Sequence, residues 1–330
     1  MLADMRDVVV IGGGAAGLSG AVTLARARRS VLVIDDGTPR NAPADGVHGI
    51  LGQEGVSPLE LLARGRAELA GYGGSLRQGR VVAAAREDGG FVVTLDDGTS
   101  ERARRILVAT GLVDDLPDLP GLRQRWGHDV LHCPYCHGWE VRDQPIGVLA
   151  TSERAVHQAL LFRQWSDDVV LLQHTAPEPT PEQAEQLAAR GVRVVPGVVT
   201  EVLSTDGRLT GVRLESGAVV ERSALTVMPR FVARLDGLDG LGLTAVPHEM
   251  GVGEHAASDL MGASSVPGVW VAGNATDLMA QVTGAMAAGT RAGAAINSDL
   301  ILEDTARAVA ASRAAPEAHP RPNQPLLVRE

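Results

Sequence analysis

The sequence predicts an α/β protein built from two Rossmann-like (three-layer ββα) nucleotide-binding domains, the second inserted in the first. Three observations predict it. A strand–glycine turn–helix–strand series fills the first 35 residues, a second series of the same kind runs over 145–173, and a segment rich in Pro and Gly separates them. In the first series, 7–11 is a short Val-rich run, 12–17 a glycine-rich turn, 18–28 has helical spacing, and 30–34 is a β-branched run ending in Asp35 and Asp36. Residues 80–85, 91–95 and 106–109 read as strands parted by the turn signals Asp88-Gly89-Gly90 and Asp97-Gly98. The segment 114–121, with two prolines and a glycine, reads as the connector between units, because those residues do not sit inside regular elements.

The second series reads as a strand at 145–150, a helix at 152–165 and a strand at 168–173. After Val227-Met228-Pro229 comes a loop-rich stretch, then a strand at 268–272 and a helix of small residues over 281–302. This divides the chain into one unit formed by 1–116 and 246–312, an inserted unit at 117–245, and a mobile tail rich in Pro and Ala at 313–330.

Composition narrows the function. The 330 residues are 45% hydrophobic, enough for a sizeable core, and the net charge of −10 gives no cationic field for nucleic acid. All 30 basic residues are arginine, which excludes Schiff-base chemistry on lysine. No run approaches the roughly 20 apolar residues that span a bilayer, and no secretory leader is visible, so a cytoplasmic location without membrane contact is expected. In such a reducing compartment the two cysteines, Cys133 and Cys136, read as catalytic or metal-binding rather than as a structural staple.

Two motifs carry the chemistry. Gly12-x-Gly14-x-x-Gly17 follows a strand and opens a helix. Its glycines allow a tight turn and close approach of backbone to a pyrophosphate, and the helix start presents unpaired N–H groups. Asp35, at the end of the second strand, stands where an acid binds a ribose hydroxyl. The turn alone does not separate NAD from FAD. The second motif is Cys133-Pro134-Tyr135-Cys136-His137, with His132 before it. It is compatible with a redox-active dithiol, with covalent haem attachment, and with a zinc clamp. Haem attachment goes poorly with a chain that shows no export signal, and adjacent His-Cys pairs rarely converge on one metal. The redox reading is therefore preferred, with no metal expected; the remaining histidines carry no local signal.

The whole chain from residue 7 to about 302 resembles the low-molecular-weight thioredoxin-reductase family. The matching segments are Val-Ile-Gly-Gly-Gly-Ala-Ala-Gly-Leu-Ser at 10–19, Pro39-Arg40-Asn41, Ala109-Thr110-Gly111, the Cys-Pro-Tyr-Cys motif, and Gly-Val-Trp-Val-Ala-Gly-Asn at 268–274. The resemblance implies that the first unit holds FAD, through Gly12, Gly14, Ala16 and Gly17, Asp35 and Asp36, Arg40 and Asn41. It further implies that Ala109, Thr110 and Gly111 line the flavin site, that Gly273 and Asn274 approach the ribityl and pyrophosphate, and that Gln281 and Val282 lie beside the flavin ring. Val82 is expected at the adenine edge. Asn274 replaces the aspartate usual in the family, and a neutral amide can still bond a ribityl hydroxyl. A homodimer is likewise implied. Cys136 would lie against the flavin and Cys133 face the substrate. His137 stands where the family's reductases commonly carry an aspartate, able to take a proton from a thiol and to stabilise a thiolate.

One departure changes the expected function. A thioredoxin reductase binds NADPH at a second G-x-G-x-x-A turn, followed by arginines for the 2′-phosphate. Here the corresponding residues are Ala150-Thr-Ser152-Glu-Arg-Ala155, both glycines are gone, and Gln173-His174-Thr175-Ala176-Pro177 brings no arginine. The combination is similar to the dithiol oxidases that close the disulfides of gliotoxin and holomycin. It implies a small natural-product dithiol as substrate, oxidised by the cysteine disulfide. The electrons then pass through Cys136 to FAD and on to O2, giving hydrogen peroxide. The alternative is a thioredoxin-reductase-like enzyme reducing a protein disulfide with NADPH or another donor.

Overall fold

The computed structural model describes residues 5–314. The expected tail from 315 onward lies outside the described residues. In chain order the elements of the first third are β1 (Arg6–Ile11), α1 (Ala15–Arg26), β2 (Val31–Asp35), α2 (Pro58–Gly71), β3 (Ser75–Gln78), β4 (Val81–Glu87), β5 (Gly90–Leu95), β6 (Ser100–Val108) and β7 (Leu112–Asp115). Then come α3 (Leu122–Arg125), β8 (Val130–Leu131), α4 (Pro134–His137), β9 (Ile146–Leu149), α5 (Arg154–Phe162), β10 (Val169–Leu172), α6 (Pro181–Ala189) and β11 (Arg193–Val195). The remainder is β12 (Val199–Thr205), β13 (Arg208–Leu214), β14 (Val219–Glu221), β15 (Ala224–Val227), β16 (Arg230–Ala233), β17 (Ala245–Pro247), β18 (Gly253–Ala256), β19 (Val269–Val271) and α7 (Val282–Ala314).

A seven-stranded sheet has the order β3-β2-β1-β6-β5-β4, with β19 also paired to β6. The long β6 serves both neighbours, since its residues 100–103 face β5 and its residues 106–108 face β19. Period-2 alternation divides the faces of β1. Val8 and Val10 pack with α1, α2 and α7, whereas Val9 and Ile11 join Phe91, Ile106 and Leu241 on the other side.

The middle of the chain builds a five-stranded parallel sheet, β11-β10-β9-β15-β8. Val169 and Leu171 of β10 face the helices α5 and α6, while Val170 and Leu172 face the antiparallel β12-β13-β14 layer. That is the ββα layering the sequence predicts, here on a near-continuous apolar strand that needs cover on both faces.

Two readings are corrected. Asp114 and Asp115 end β7 rather than open the connector, and the stretch after Pro229 contains β16, β17 and β18. These short strands form a four-stranded sheet, β17-β18-β16-β7, in which β7 and β16 run antiparallel with Asp114 opposite Phe231. They carry no apolar run long enough to register as strands, and pairing with one another, and across more than 100 residues between β7 and β16, stabilises them instead. The final helix also outlasts its predicted end at 302 by twelve residues. Arginines of β6 account for part of this: Arg104 bonds Asp7 and Asp304, and Arg105 bonds Asp299 and Glu303, which pins α7 across the sheet.

Candidate active site

A cavity of about 640 Å³ runs from the glycine turn after β1 to the cysteine motif of α4. It falls within the several-hundred-Å³ range usual for cofactor sites. The loop 38–48, the Ala109-Thr110-Gly111 turn after β6, residues 272–274 after β19 and the start of α7 supply the walls between those ends.

At the nucleotide end the sequence explains the shape. Gly12 has φ +103°, and a Cβ there would stand 2.4 Å from the Ala109 carbonyl oxygen. Gly17 lets α1 sit on the turn, since its Cβ would meet the Gly12 oxygen at 1.9 Å. Gly14 caps the helix without a side chain, and its own Cβ would meet nothing within 4 Å. The first helical bond is Leu18 N–H to the Gly14 carbonyl, so the N–H groups of Ala15, Ala16 and Gly17 have no partner within the helix. Open space before an uncapped helix start suits a pyrophosphate. Asp35 Oδ1 accepts from Gly13 N–H at 2.9 Å, which holds the turn against β2.

The structure brings most of the expected residues together. Gly12, Gly14, Ala16, Asp35, Asp36, Arg40, Asn41, Ala109, Thr110, Gly111, Gly273, Asn274, Gln281, Val282, Cys133, Cys136 and His137 all line this one cavity. Two do not. Gly17 is spent on packing α1 against the turn, and Gly13 lines the wall in its place. Val82 points outward, 47% exposed, because the β4–β5 register slips between Val81 and Ala83; Val81 lines the wall instead. Asn274 donates its Nδ2 to the carbonyls of Asp277 and Ala280, at 3.0 and 2.9 Å, and so shapes the turn into α7.

Sequence reasoning missed other wall residues. His48, Trp126, Phe231, Arg234 and Asp236 also line the cavity, brought there by segments far apart in sequence. Arg40 forms a two-pronged ion pair with Asp114, 2.7 and 2.6 Å, and its guanidinium lies over the Phe231 ring at 5.5 Å. The residue-114 register in β7 makes that pair, and no local signal could have shown it.

At the other end, Cys133 caps α4 and Cys136 sits inside it, with their Sγ atoms 2.6 Å apart. Cys136 S–H donates to Cys133. That bond, opposed by burial and helped by backbone N–H groups of Cys136 and Tyr135 and by the Gln281 amide, brings the Cys133 thiol down to about 7. Gln281 Nε2 stands 3.9 Å from Cys133 Sγ. The same bond and burial push the Cys136 thiol up, with Arg40 opposing them. The reduced pair is therefore a Cys133 thiolate beside a Cys136 thiol, sharing one proton.

Burial sets the state of two histidines. His132 is pushed down to about 4 by burial and by the Arg40 charge, and its Nε2 meets Met228 Sδ at 3.0 Å. His137 is also lowered by burial, so it is neutral at physiological pH, and its buried Nε2 has no hydrogen-bond partner among the described residues. Among the described residues no three His, Cys, Asp or Glu side chains are grouped to hold a metal ion, and no helix is long and apolar enough to cross a membrane.

A glycine-turn cavity for a dinucleotide that ends on a dithiol defines a thiol:disulfide oxidoreductase of the flavoprotein kind. The chain matches the pyridine nucleotide-disulphide oxidoreductase model over residues 6–289, and it belongs to that family. It is similar to the thioredoxin reductase tcpT of Claviceps purpurea, 31% identical over 308 residues that cover 90% of this chain and 95% of that protein. It is similar also to the thioredoxin reductase sirT of Leptosphaeria maculans, 30% identical, covering 91% and 96%. Among solved structures, that of HlmI superposes with a TM-score of 0.87 at 47% identity over 94% of this chain and 96% of that one. FAD is the cofactor of this enzyme, and the open helix start and the size of the cavity fit it.

Proposed function

We propose that the protein is an FAD-dependent dithiol oxidase that forms an intramolecular disulfide in a small natural-product dithiol, with O2 as acceptor and hydrogen peroxide as product, working as a homodimer in the cytoplasm. The observation that carries this reading is the crevice at the carboxyl ends of β9 and β10, where a nicotinamide dinucleotide would lie. Ala150 and Ser152 stand there in place of glycines. The Ala150 carbonyl accepts from Thr175 and Ala176 N–H at 3.3 and 3.1 Å, and Gln173 Nε2 bonds the Ala176 and Pro177 carbonyls. The loop after β10 is thus tied down onto the turn, which supports a flavin reduced by the dithiol rather than by a nicotinamide.

The residues support a balanced sequence. A substrate thiolate attacks Cys133 Sγ of the oxidised pair; the new S–S bond forms as Cys133–Cys136 breaks, and Cys136 leaves with the electron pair and takes up a proton. The second substrate thiolate then attacks the substrate sulfur held in the mixed disulfide, so that the substrate's own S–S bond forms as the bond to Cys133 Sγ breaks and Cys133 leaves with the electron pair. Lower-pKa thiols leave faster, so the hydrogen bonds that bring Cys133 to about 7 favour this release. The pair is left as Cys133 thiolate and Cys136 thiol, the protonation that the lowered Cys133 and raised Cys136 thiols favour. FAD, when bound, takes the two electrons from this pair and returns them to oxygen. His137, next to Cys136 in the chain and kept neutral by burial, lines the same cavity, but its Nε2 is sealed, so the proton of the pair is left to another group. In this reading residues 1–116 and 246–312 hold FAD and 117–245 is a retained scaffold carrying the cysteines.

Anaerobic titration of the holoenzyme tests it. Excess dithiothreitol is expected to bleach the oxidised flavin band, with peroxide released on aeration, while excess NADPH leaves the band unchanged. Bleaching by NADPH would instead establish the reductase reading, which the names of the fungal relatives favour.

A further inference from the structure

Oxidising a dithiol releases two thiol protons, and the walls around the cysteines offer few groups to receive them. His132 is silent against Met228, and the His137 Nε2 is sealed from solvent. His48 is different. It lines the same cavity with its side chain 25% exposed, and its Nδ1 lies 2.6 Å from Glu54 Oε1. Glu54 also accepts Gly49 N–H, so the carboxylate is fixed on its own loop. The other ring nitrogen, Nε2, stands 3.5 Å from Glu140 Oε1, a carboxylate arriving from just beyond the cysteine motif, and makes no hydrogen bond among the described residues.

The loop that presents this ring is built without it. Val47 N–H bonds the Val56 carbonyl at 2.8 Å, Gly55 N–H bonds the Val47 carbonyl at 3.0 Å, and Thr283 Oγ1 of α7 bonds the Gly49 carbonyl at 3.0 Å. That last bond sets Gly49, the residue after His48, beside Gln281, whose amide reaches Cys133.

We propose that His48, oriented by Glu54, is the base that takes the proton from the incoming substrate thiol. Glu54 holds the tautomer with hydrogen on Nδ1, which leaves the Nε2 lone pair for the S–H proton. As the thiolate forms, its electron pair makes the new bond to Cys133 Sγ. The proton on Nε2 is then met by Glu140, which is open to solvent and hands it on. The charged groups around the two histidines are Glu54, Glu140 and Asp45. This role rests on the dithiol-oxidase reading.

The experiment is anaerobic stopped-flow reduction of the FAD holoenzyme by dithiothreitol from pH 6 to 9.5, for the wild type, His48→Gln and Glu54→Gln. His48→Gln is expected to keep its flavin content and spectrum and to reduce about 100-fold more slowly at pH 7. The gap closes towards pH 9, where the dithiol ionises unaided. Glu54→Gln shows a smaller loss with the same trend. A loss that is equal at every pH, or no loss, overturns the role of His48. If dithiothreitol fails to bleach the wild type, the dithiol-oxidase reading itself is lost, an outcome distinct from either.

Discussion

Replacing Cys136 with serine is expected to lower turnover of a dithiol by about 10³-fold or more while the protein keeps its FAD, because no disulfide then exists for the substrate to attack. The second consequence is sharper. Cys136 S–H is the first of the bonds that make Cys133 a thiolate, and a serine hydroxyl donates from a shorter side chain. Iodoacetamide alkylation of the reduced wild type should follow a titration near 7, with the rate falling about tenfold per pH unit below it as the thiolate is protonated. In Cys136→Ser that midpoint should move upward, towards the ordinary thiol near 8.5. A midpoint that stays near 7 would mean that the backbone N–H groups and Gln281 alone hold the charge, and that Cys133 needs no partner to leave. Cys133→Ser should be equally inactive, yet its remaining thiol, pushed up by burial, should be alkylated slowly across the physiological range.

The contrast between the two thiols shows what the sequence could reveal and what it could not. The Cys-x-x-Cys spacing identifies the pair, and the glycine turn with Asp35 identifies the dinucleotide end, because both are local patterns with a fixed physical meaning. Which sulfur carries the charge depends on Gln281, 148 residues away, and on Arg40, which Asp114 aims. The strand that places Asp114 is paired only with β16 and has no pattern of its own. His48 escaped notice for the same reason: a histidine in a polar loop carries no signal until the loop closes against Thr283 and puts it on the wall of the cavity that also holds the cysteines. Val82 misled by one residue because a register slip reverses which face a strand residue takes. The long strands and helices of the two sheets were legible through their periodicity, whereas the small sheet that ties them was not.

The glycine turn supplies the second large effect. Gly17→Ala is expected to yield protein that binds little FAD and melts on the order of 2–5 °C lower, with overpacking costing roughly 1–3 kcal/mol. The added Cβ would stand 1.9 Å from the Gly12 carbonyl oxygen, so either the turn or α1 must move. The turn is held by Gly12 N–H on the Ile34 carbonyl and by Asp35 on Gly13 N–H. Nor can α1 retreat, because α7 is packed directly behind it: a Cβ at Gly289 would meet the Ala16 oxygen at 2.0 Å, and one at Gly293 the Gly20 oxygen at 2.7 Å. The helix is thus confined between two backbone contacts with no side chain to yield on either side. Gly14→Ala separates packing from cofactor binding. Its φ of −75° suits alanine and its Cβ meets nothing within 4 Å, so the melting temperature of the flavin-free protein should change little. The same methyl group projects into the space before the helix start, and FAD affinity should fall. If Gly17→Ala kept both flavin and melting temperature, the close seat of α1 on the turn would not be what shapes the site. If Gly14→Ala kept full affinity, the pyrophosphate would not lie where the uncapped helix start directs it.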